Sequence, residues 1–224
     1  MQFLLTSGGF HNATLREALT GMLGKPISEA SALCIPTALH SMPGGAGAVY
    51  RVVTAAQPSA MTGLPWKSVG VLELTALPSL PPDYWVPAVR EADALLFEGG
   101  DSFYLTDWVR RSALLDLLPS LRPETVWVGL SAGSMAAGPN IIAPEPGESI
   151  PPTGSGAGLG LVDFAILPHM DHERFPENAM VELEKLAARM PVPTYLLDDQ
   201  SAVKVTAAGV EVVGEGHWKL CAPS

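Results

Sequence analysis

Short apolar runs that alternate with amphipathic stretches constrain the fold of this chain more than any other feature of its sequence. Each run is followed by a turn or by a segment with helical spacing, which is typical of parallel strands covered by helices. The predicted strands before the middle of the chain are Gln2–Thr6, Ala32–Pro36, Val69–Leu74, Ala94–Phe97 and Thr125–Leu130, and the predicted helices are Ala13–Leu23, Ala48–Ala56 and Phe103–Leu118. We therefore expect an α/β fold with a mostly parallel central sheet flanked by helices on both faces.

The pattern changes in the second half of the chain. A Pro- and Gly-rich region over residues 138–160 predicts a long loop, after which Leu161–Leu167 predicts a strand and Glu177–Arg189 a polar helix. The last apolar runs are short and broken by turns, and they predict an antiparallel extension over Thr194–Leu197, Ala202–Thr206, Glu211–Val213 and Trp218–Leu220. Because no internal repeat or linker interrupts residues 1–224, we expect a single domain.

Composition excludes several classes of partner. The net charge of −10 disfavours nucleic acid and anionic membrane surfaces, since both need a basic face on the protein. The N-terminal apolar run lacks a basic region before it and ends at Gly8-Gly9, so we expect no signal peptide, and no apolar stretch approaches the roughly 20 residues of a membrane helix. The two cysteines, Cys34 and Cys221, form no disulfide framework, which favours a reducing, cytoplasmic location.

The segment VWVGLSAGSMAAG, residues 126–138, places Ser131 between small residues directly after a predicted strand. A Gly-x-Ser-x-Gly frame between strand and helix is typical of a nucleophile elbow, in which a strained turn exposes the serine hydroxyl. The N–H groups that follow, beginning with Ala132, lie at a helix N-terminus and are suited to stabilise an oxyanion. A serine that only caps the helix is the alternative interpretation.

A nucleophilic serine needs a base and an acid elsewhere in the chain. His169 is the best base candidate because it follows a predicted buried strand, and His172 is its local rival. Asp198 and Asp199 are a suitable acidic pair, with Asp163, Glu145 and Glu148 as alternatives. The run from His169 to Glu173 has metal-ligand chemistry without the spacing of a zincin site, so we expect neither a metal nor another cofactor.

Four segments together resemble the serine peptidases of the dipeptidase E and cyanophycinase family. They are Leu96–Phe103 (LFEGGDSF), Trp127–Gly133, Leu167–His169 and Leu197–Ala202, and their order and spacing match from Ala94 to Val205. The resemblance implies a flavodoxin-like fold similar to class I glutamine amidotransferases, with serine in place of cysteine.

The same resemblance implies roles for individual residues. Ser131 would be the nucleophile, His169 the general base, and Gly100 and Ala132 the oxyanion donors. Asp199 falls where cyanophycinase-like members have a glutamate, whereas dipeptidase E-like members suggest an acid after the elbow, near Glu145 and Glu148. Gly99, Asp101 and Arg174 are expected to contact substrate.

Substrate specificity is the point at which the chain departs from the family pattern. Dipeptidase E-like members that cleave after aspartate use an arginine after the histidine, and Arg174 is the only candidate here. We therefore expect a short peptide substrate without strict aspartyl specificity. Two loops rich in Gly and Pro, residues 41–47 and 144–152, are either lids that control substrate entry or ordinary surface loops. The resemblance also implies a homodimer. The alternatives are a hydrolase of another acyl bond, either cyanophycinase-like or an esterase, and a non-catalytic binding protein on the same scaffold.

Overall fold

A seven-stranded sheet forms the centre of the protein in the computed structural model, which describes residues 1–54, 56–57, 59–141 and 156–223. Its strands are β1 (Gln2–Thr6), β2 (Ser31–Ile35), β3 (Ser68–Val71), β4 (Ala94–Phe97), β5 (Val126–Leu130), β8 (Ser201–Thr206) and β9 (Gly209–Gly214). They lie in the order β3-β2-β4-β5-β1-β8-β9, in which the first five are parallel and the last two antiparallel. The mostly parallel sheet and its antiparallel extension are therefore confirmed.

Eight α-helices are seen in the described residues, and they cover both faces of the sheet. They are α1 (Ala13–Leu23), α2 (Thr37–His40), α3 (Gly45–Val53), α4 (Val86–Glu91), α5 (Ser102–Arg111), α6 (Leu114–Leu117), α7 (Ala132–Met135) and α8 (Met180–Ala187). Short 3₁₀ turns occupy Ile27–Glu29, Leu74–Ser79, Pro82–Tyr84, Leu118–Ser120 and Pro176–Asn178. No helix in these described ranges is long and apolar enough to cross a membrane.

The sheet separates two apolar cores because successive side chains of a strand point to opposite faces. On one face, Trp127 of β5 stacks on Phe97 of β4 with ring centroids 3.4 Å apart, and α5 and α7 pack beside them. On the other face, Val128 of β5 contacts a cluster to which α1 contributes Leu15 and Leu19. The four parallel strands β1, β2, β4 and β5 are therefore packed on both faces, whereas the edge strand β3 is largely exposed.

A second, three-stranded sheet lies outside the pattern that the sequence predicted. It consists of β6 (Ala165–Leu167), β7 (Thr194–Leu197) and β10 (Trp218–Cys221), in the order β10-β7-β6. β6 and β7 are parallel and β10 is antiparallel. Because β6 and β7 are parallel, they end at the same edge of this small sheet. The residues that follow Leu167 and Leu197 therefore lie close together.

Several predicted boundaries were wrong by a few residues for local reasons. The helix predicted over Phe103–Leu118 is divided because Ala113 adopts a left-handed φ of 60° between α5 and α6. The predicted helix Glu177–Arg189 begins only at Met180, after the 3₁₀ turn. Of the predicted strand Leu161–Leu167, only Ala165–Leu167 forms a strand. The predicted loop over residues 41–47 already contains the start of α3, which follows Gly44 in the left-handed conformation.

Candidate active site

The strand-to-helix corner predicted at Ser131 is present and strained. Ser131 joins β5 to α7 with φ 48° and ψ −107°, a conformation rarely adopted by a residue with a side chain. Its N–H donates to the carbonyl oxygens of Thr6 and Ser7, at 3.1 Å each. A Cβ on Gly129 would lie 2.6 Å from the Ser134 nitrogen, and one on Gly133 would overlap the carbonyl oxygen of Phe97. The small residues around Ser131 are therefore required by close backbone packing.

Ser131, His169 and Asp199 lie in one line of hydrogen bonds. His169 Nε2 is 2.9 Å from Ser131 Oγ, and His169 Nδ1 is 2.7 Å from Asp199 Oδ1. The side chains of His169 and Asp199 are only 16% and 20% exposed. With the imidazole neutral, Nδ1–H donates to the carboxylate and leaves Nε2 free to accept the serine proton, as in a catalytic triad.

Two further residues hold the Asp199 carboxylate, and the sequence did not predict this role for either. Ser7 Oγ donates to Asp199 Oδ1 at 2.7 Å, and His172 Nε2 lies 3.4 Å from Oδ2. His172 Nδ1 accepts from the backbone N–H of Arg174, which leaves Nε2–H to face the carboxylate when the ring is neutral. His172, considered above as a rival base, thus contacts the acid. A clue to Ser7 was its place in a Ser-Gly-Gly turn directly after β1.

The ionisation of Asp199 is controlled by these neighbours. Burial is the largest influence and raises its pKa, but the hydrogen bonds from His169 and Ser7, together with the two imidazoles, outweigh it. The pKa of Asp199 therefore lies below its ordinary value, and the carboxylate is ionised at neutral pH. Gly8 makes this approach feasible, because a Cβ there would be 2.7 Å from Asp199 Cγ.

His169 is fixed by its backbone as well as by its ring. It has a left-handed φ of 61°, and its N–H donates to Ser7 Oγ at 2.7 Å. Phe175 stacks on the imidazole with centroids 4.7 Å apart. Ser7 thus connects the backbone of His169 to the side chain of Asp199, which sets the relative position of the two residues.

The predicted oxyanion donors lie at the two loops beside Ser131. Gly100 follows β4 with a φ of 132°, and a Cβ there would overlap the carbonyl oxygen of Ala38. Within the described part of the chain, the N–H groups of Gly100 and Ala132 have no hydrogen-bond acceptor. Because β4 and β5 are parallel neighbours with Phe97 opposite Gly129, both loops leave the same edge of the sheet. The two donors are thus free to bind an anionic oxygen.

A cavity of about 730 Å³ opens over Ser131. Gly99, Gly100, His169 and Arg174 are among the residues that line it. Asp101, which we expected to contact substrate, is not among these lining residues. Its Oδ1 caps α5 by accepting from the N–H groups of Phe103 and Tyr104 at 2.9 Å, so its observed role is structural.

Two further sequence-based expectations concern the alternative acids and a metal ion. Glu145 and Glu148, the alternative acids, lie outside the described residues. Over residues 1–54, 56–57, 59–141 and 156–223, no group of three or more His, Cys, Asp or Glu side chains is arranged to hold a metal ion.

The fold is that of flavodoxin-like α/β proteins, and the site places the chain among those with a serine at the strand-to-helix turn. A peptidase E protein from Listeria monocytogenes EGD-e superposes with a TM-score of 0.68 at 19% identity, over 96% of this chain and 98% of that one. A peptidase from an acI-B1 Actinobacterium superposes with a TM-score of 0.61 at 16% identity, over 99% of this chain and 94% of the other. These likenesses establish the fold.

Sequence comparison identifies the family. The family model described as Peptidase family S51 matches residues 3–213, so the chain belongs to peptidase family S51. Peptidase E of Nostoc sp. is 33% identical over 132 residues, which are 56% of this chain and 54% of that protein. An uncharacterised peptidase of Pasteurella multocida is 26% identical over 117 residues, 50% of this chain and 56% of the relative. The matches thus span little more than half the length of these curated relatives.

Proposed function

We propose that the protein is a serine-type peptidase that hydrolyses short peptides through an acyl-enzyme, in the manner of dipeptidase E. The observation that carries the proposal is the hydrogen-bonded line from Ser131 Oγ through His169 to Asp199. A serine hydroxyl is a weak nucleophile unless a base accepts its proton, and an acid must hold that base in the correct tautomer. Membership of peptidase family S51 supports the same activity.

The proposed mechanism is acyl transfer. His169 Nε2 takes the proton as Ser131 Oγ attacks the peptide carbonyl carbon, while Asp199 stabilises the imidazolium through Nδ1–H. The N–H groups of Gly100 and Ala132 hold the oxyanion of the tetrahedral intermediate. His169 then gives its proton to the leaving amine, and a water molecule activated by the same imidazole hydrolyses the acyl-enzyme.

The cavity over Ser131 favours short peptides over folded proteins. Its volume of about 730 Å³ is that of a small-ligand site, and the strained corner lies at its wall. Met42, from the segment predicted to act as a lid, is part of that wall, which supports a role of this segment in substrate entry. The second predicted lid, residues 144–152, lies outside the described residues.

A cleavage profile tests the proposal. The substrates are unblocked dipeptides, N-acetylated peptides, C-amidated peptides and one activated ester, incubated with the wild type and with Ser131→Ala. We expect wild-type hydrolysis of at least one short peptide and a loss of roughly 10³-fold or more in Ser131→Ala, with an unchanged thermal unfolding midpoint. Peptide cleavage retained by Ser131→Ala would refute the nucleophile. Hydrolysis of the ester alone would favour the acyl-bond alternative.

Arg174 is proposed to contact the side chain of the substrate. It lies in the cavity wall and is exposed, so it is accessible to an acidic group. In the same profile, Arg174→Ala should reduce cleavage of Asp-X dipeptides more than that of Ala-X dipeptides, because an arginine binds a carboxylate through paired charged hydrogen bonds. An equal loss on both would remove this role.

A further inference from the structure

A second cavity adjoins the first, and the two share part of their wall. Its volume is about 320 Å³, and it shares Leu39, Gly99 and Leu130 with the cavity over Ser131. The wall is close to the proposed nucleophile, because a Cβ on Gly99 would lie 3.5 Å from Ser131 Cβ. The charged residues of the second cavity are Glu98 and Arg51. The mechanism proposed above uses neither.

Glu98 is a buried carboxyl group with only one oxygen satisfied. The residue is 3% exposed, and its Oε1 accepts from Ser59 Oγ at 2.6 Å and faces Cys34 Sγ at 3.9 Å. Ser59 Oγ itself accepts from the N–H groups of Met61 and Thr62, so its own proton is directed to Glu98. Oε2 has no hydrogen-bond partner among the described residues and is the oxygen left for an occupant of the cavity.

Glu98 forms no ion pair with a cationic side chain among the described residues. Burial, the largest influence, raises its pKa to about 7, although the hydrogen bonds from Ser59 and Cys34 lower it. Burial also raises the pKa of the Cys34 thiol, which therefore stays protonated beneath the carboxyl. Arg51 lies on the exposed side of the cavity and forms no ion pair within the described residues. An unpaired buried carboxylate is costly, and a positively charged ligand would relieve that cost.

We propose that the second cavity is a subsite for a positively charged amine of the substrate, with Glu98 Oε2 as its counter-ion. This inference rests on the proposed function, because it assigns the amine to the peptide that Ser131 would cleave. The cavity is large enough for a lysine side chain, and the lining residues that it shares with the catalytic cavity place it next to the proposed position of the scissile bond. A free α-ammonium has the same chemistry, and the experiment separates the two sources.

Binding can be measured without turnover in the Ser131→Ala protein. The probes are blocked alanine tripeptides with one lysine at each position in turn, each paired with its Nε-acetyl-lysine match, and unblocked alanine tripeptide paired with its N-acetyl form. At about pH 8, we expect at least one lysine peptide to bind about tenfold or more tightly than its match, since a charge-assisted hydrogen bond is lost on acetylation. A preference confined to the unblocked alanine peptide would assign the α-ammonium instead.

Variants of the cavity identify the counter-ion. Glu98→Gln in the Ser131→Ala background should bring the affinity ratio of charged to acetylated peptide close to one, whereas Gln57→Ala, an uncharged change in the same cavity wall, should preserve it. Should Glu98→Gln fail to fold, the unmodified carboxyl still gives a test. Lowering the pH to about 6 should shrink the ratio, because Glu98 becomes protonated while lysine, with a pKa of about 10.4, keeps its charge.

Three results would overturn the subsite. The first is equal affinities within every pair, and the second is no detectable binding of the charged peptides. The third is tighter binding of the N-acetylated alanine tripeptide, whose only charge is its carboxylate, with an affinity that rises as the pH falls, which would identify an anion pocket on Arg51. Cleavage by the enzyme with intact Ser131 is measured separately. An absence of cleavage together with an amine preference would refute the proposed function and leave the binding site, whereas cleavage without an amine preference would refute only the subsite.

Discussion

Ser131 and His169, the partners of the central hydrogen bond, both have strained backbones. They are two of the four non-glycine residues with positive φ in the described part of the chain. Such conformations cost about 1–3 kcal/mol each and persist only when the surroundings determine them. The sequence predicted Ser131 because strain at an elbow requires small neighbours, which are visible as Gly129 and Gly133. Ser7 had only the Ser-Gly-Gly turn after β1 to mark it, because the bridge that it forms to residues more than 160 positions away leaves no further local pattern.

Ser7 is predicted to position the proposed triad. Ser7→Ala removes a hydrogen bond to the ionised Asp199 and the acceptor of the His169 N–H, so kcat should fall between about tenfold and a hundredfold with KM nearly unchanged. The loss should also raise the pKa of Asp199, so the acid-induced unfolding of Ser7→Ala should begin at a higher pH than that of the wild type. Ser134→Ala, which removes a buried hydroxyl that donates to the Thr6 carbonyl oxygen, is the control. A kcat of Ser7→Ala no lower than that of Ser134→Ala would contradict the positioning role.

At the scale of elements, the site is assembled from strand ends that come from two sheets. Gly100 and Ser131 lie after the ends of β4 and β5. The parallel pairing of these two strands was predicted from the apolar runs of the sequence. β6 and β7 deliver His169 and Asp199, but their membership of a separate sheet was not predicted. Strands of three and four residues carry too little pattern to specify their partners, which tertiary packing decides. Hence the sequence predicted which residues lie close together here better than it predicted the sheet that carries two of them.

Gly100 allows a test of the loop after β4. Gly100→Ala places a Cβ against the Ala38 carbonyl and should displace the proposed oxyanion donor, which lowers kcat by about 10²-fold or more. Gly209→Ala is a matched control, because Gly209 has φ 130° but no atom within 4 Å of its would-be Cβ. Both variants place an alanine at a positive φ, so both should have a lower thermal unfolding midpoint than the wild type. Equal kcat values for the two variants would argue against an oxyanion role for this loop.

For the whole molecule, the half-buried Asp199 and the buried Glu98 give opposite dependences of stability on pH. Asp199 has a lowered pKa, so its stabilisation is present above the unfolded value of about 3.9 and is lost as the pH falls through the folded value. Glu98 has a raised pKa of about 7, so the unfolded chain releases this proton first and the free energy of unfolding falls as the pH rises from about 4.3 towards 7. Glu98 lies in the segment Leu96–Phe103, which the sequence analysis singled out. The burial of its side chain could not be predicted, because it depends on the loop that carries Ser59.

The single domain, homodimer and cytoplasmic location stay predictions.

Glu98→Gln therefore has a predicted effect on stability. The variant should lose the fall in unfolding free energy between about pH 4 and pH 8, and it should be more stable relative to the wild type at the upper end of that range than at the lower. Urea unfolding in the absence of peptide, followed at several pH values, measures this difference. Parallel curves for the two proteins would show that the carboxyl is ionised equally in the folded and unfolded states.

Selective reaction of Ser131 with an electrophile tests the central claim most directly. A fluorophosphonate should add one covalent mass to the intact protein, peptide mapping should place it on Ser131, and the rate should fall by at least about a hundredfold in His169→Ala, because the hydroxyl then lacks its base. Labelling at another residue, or a rate that does not depend on His169, would contradict the account.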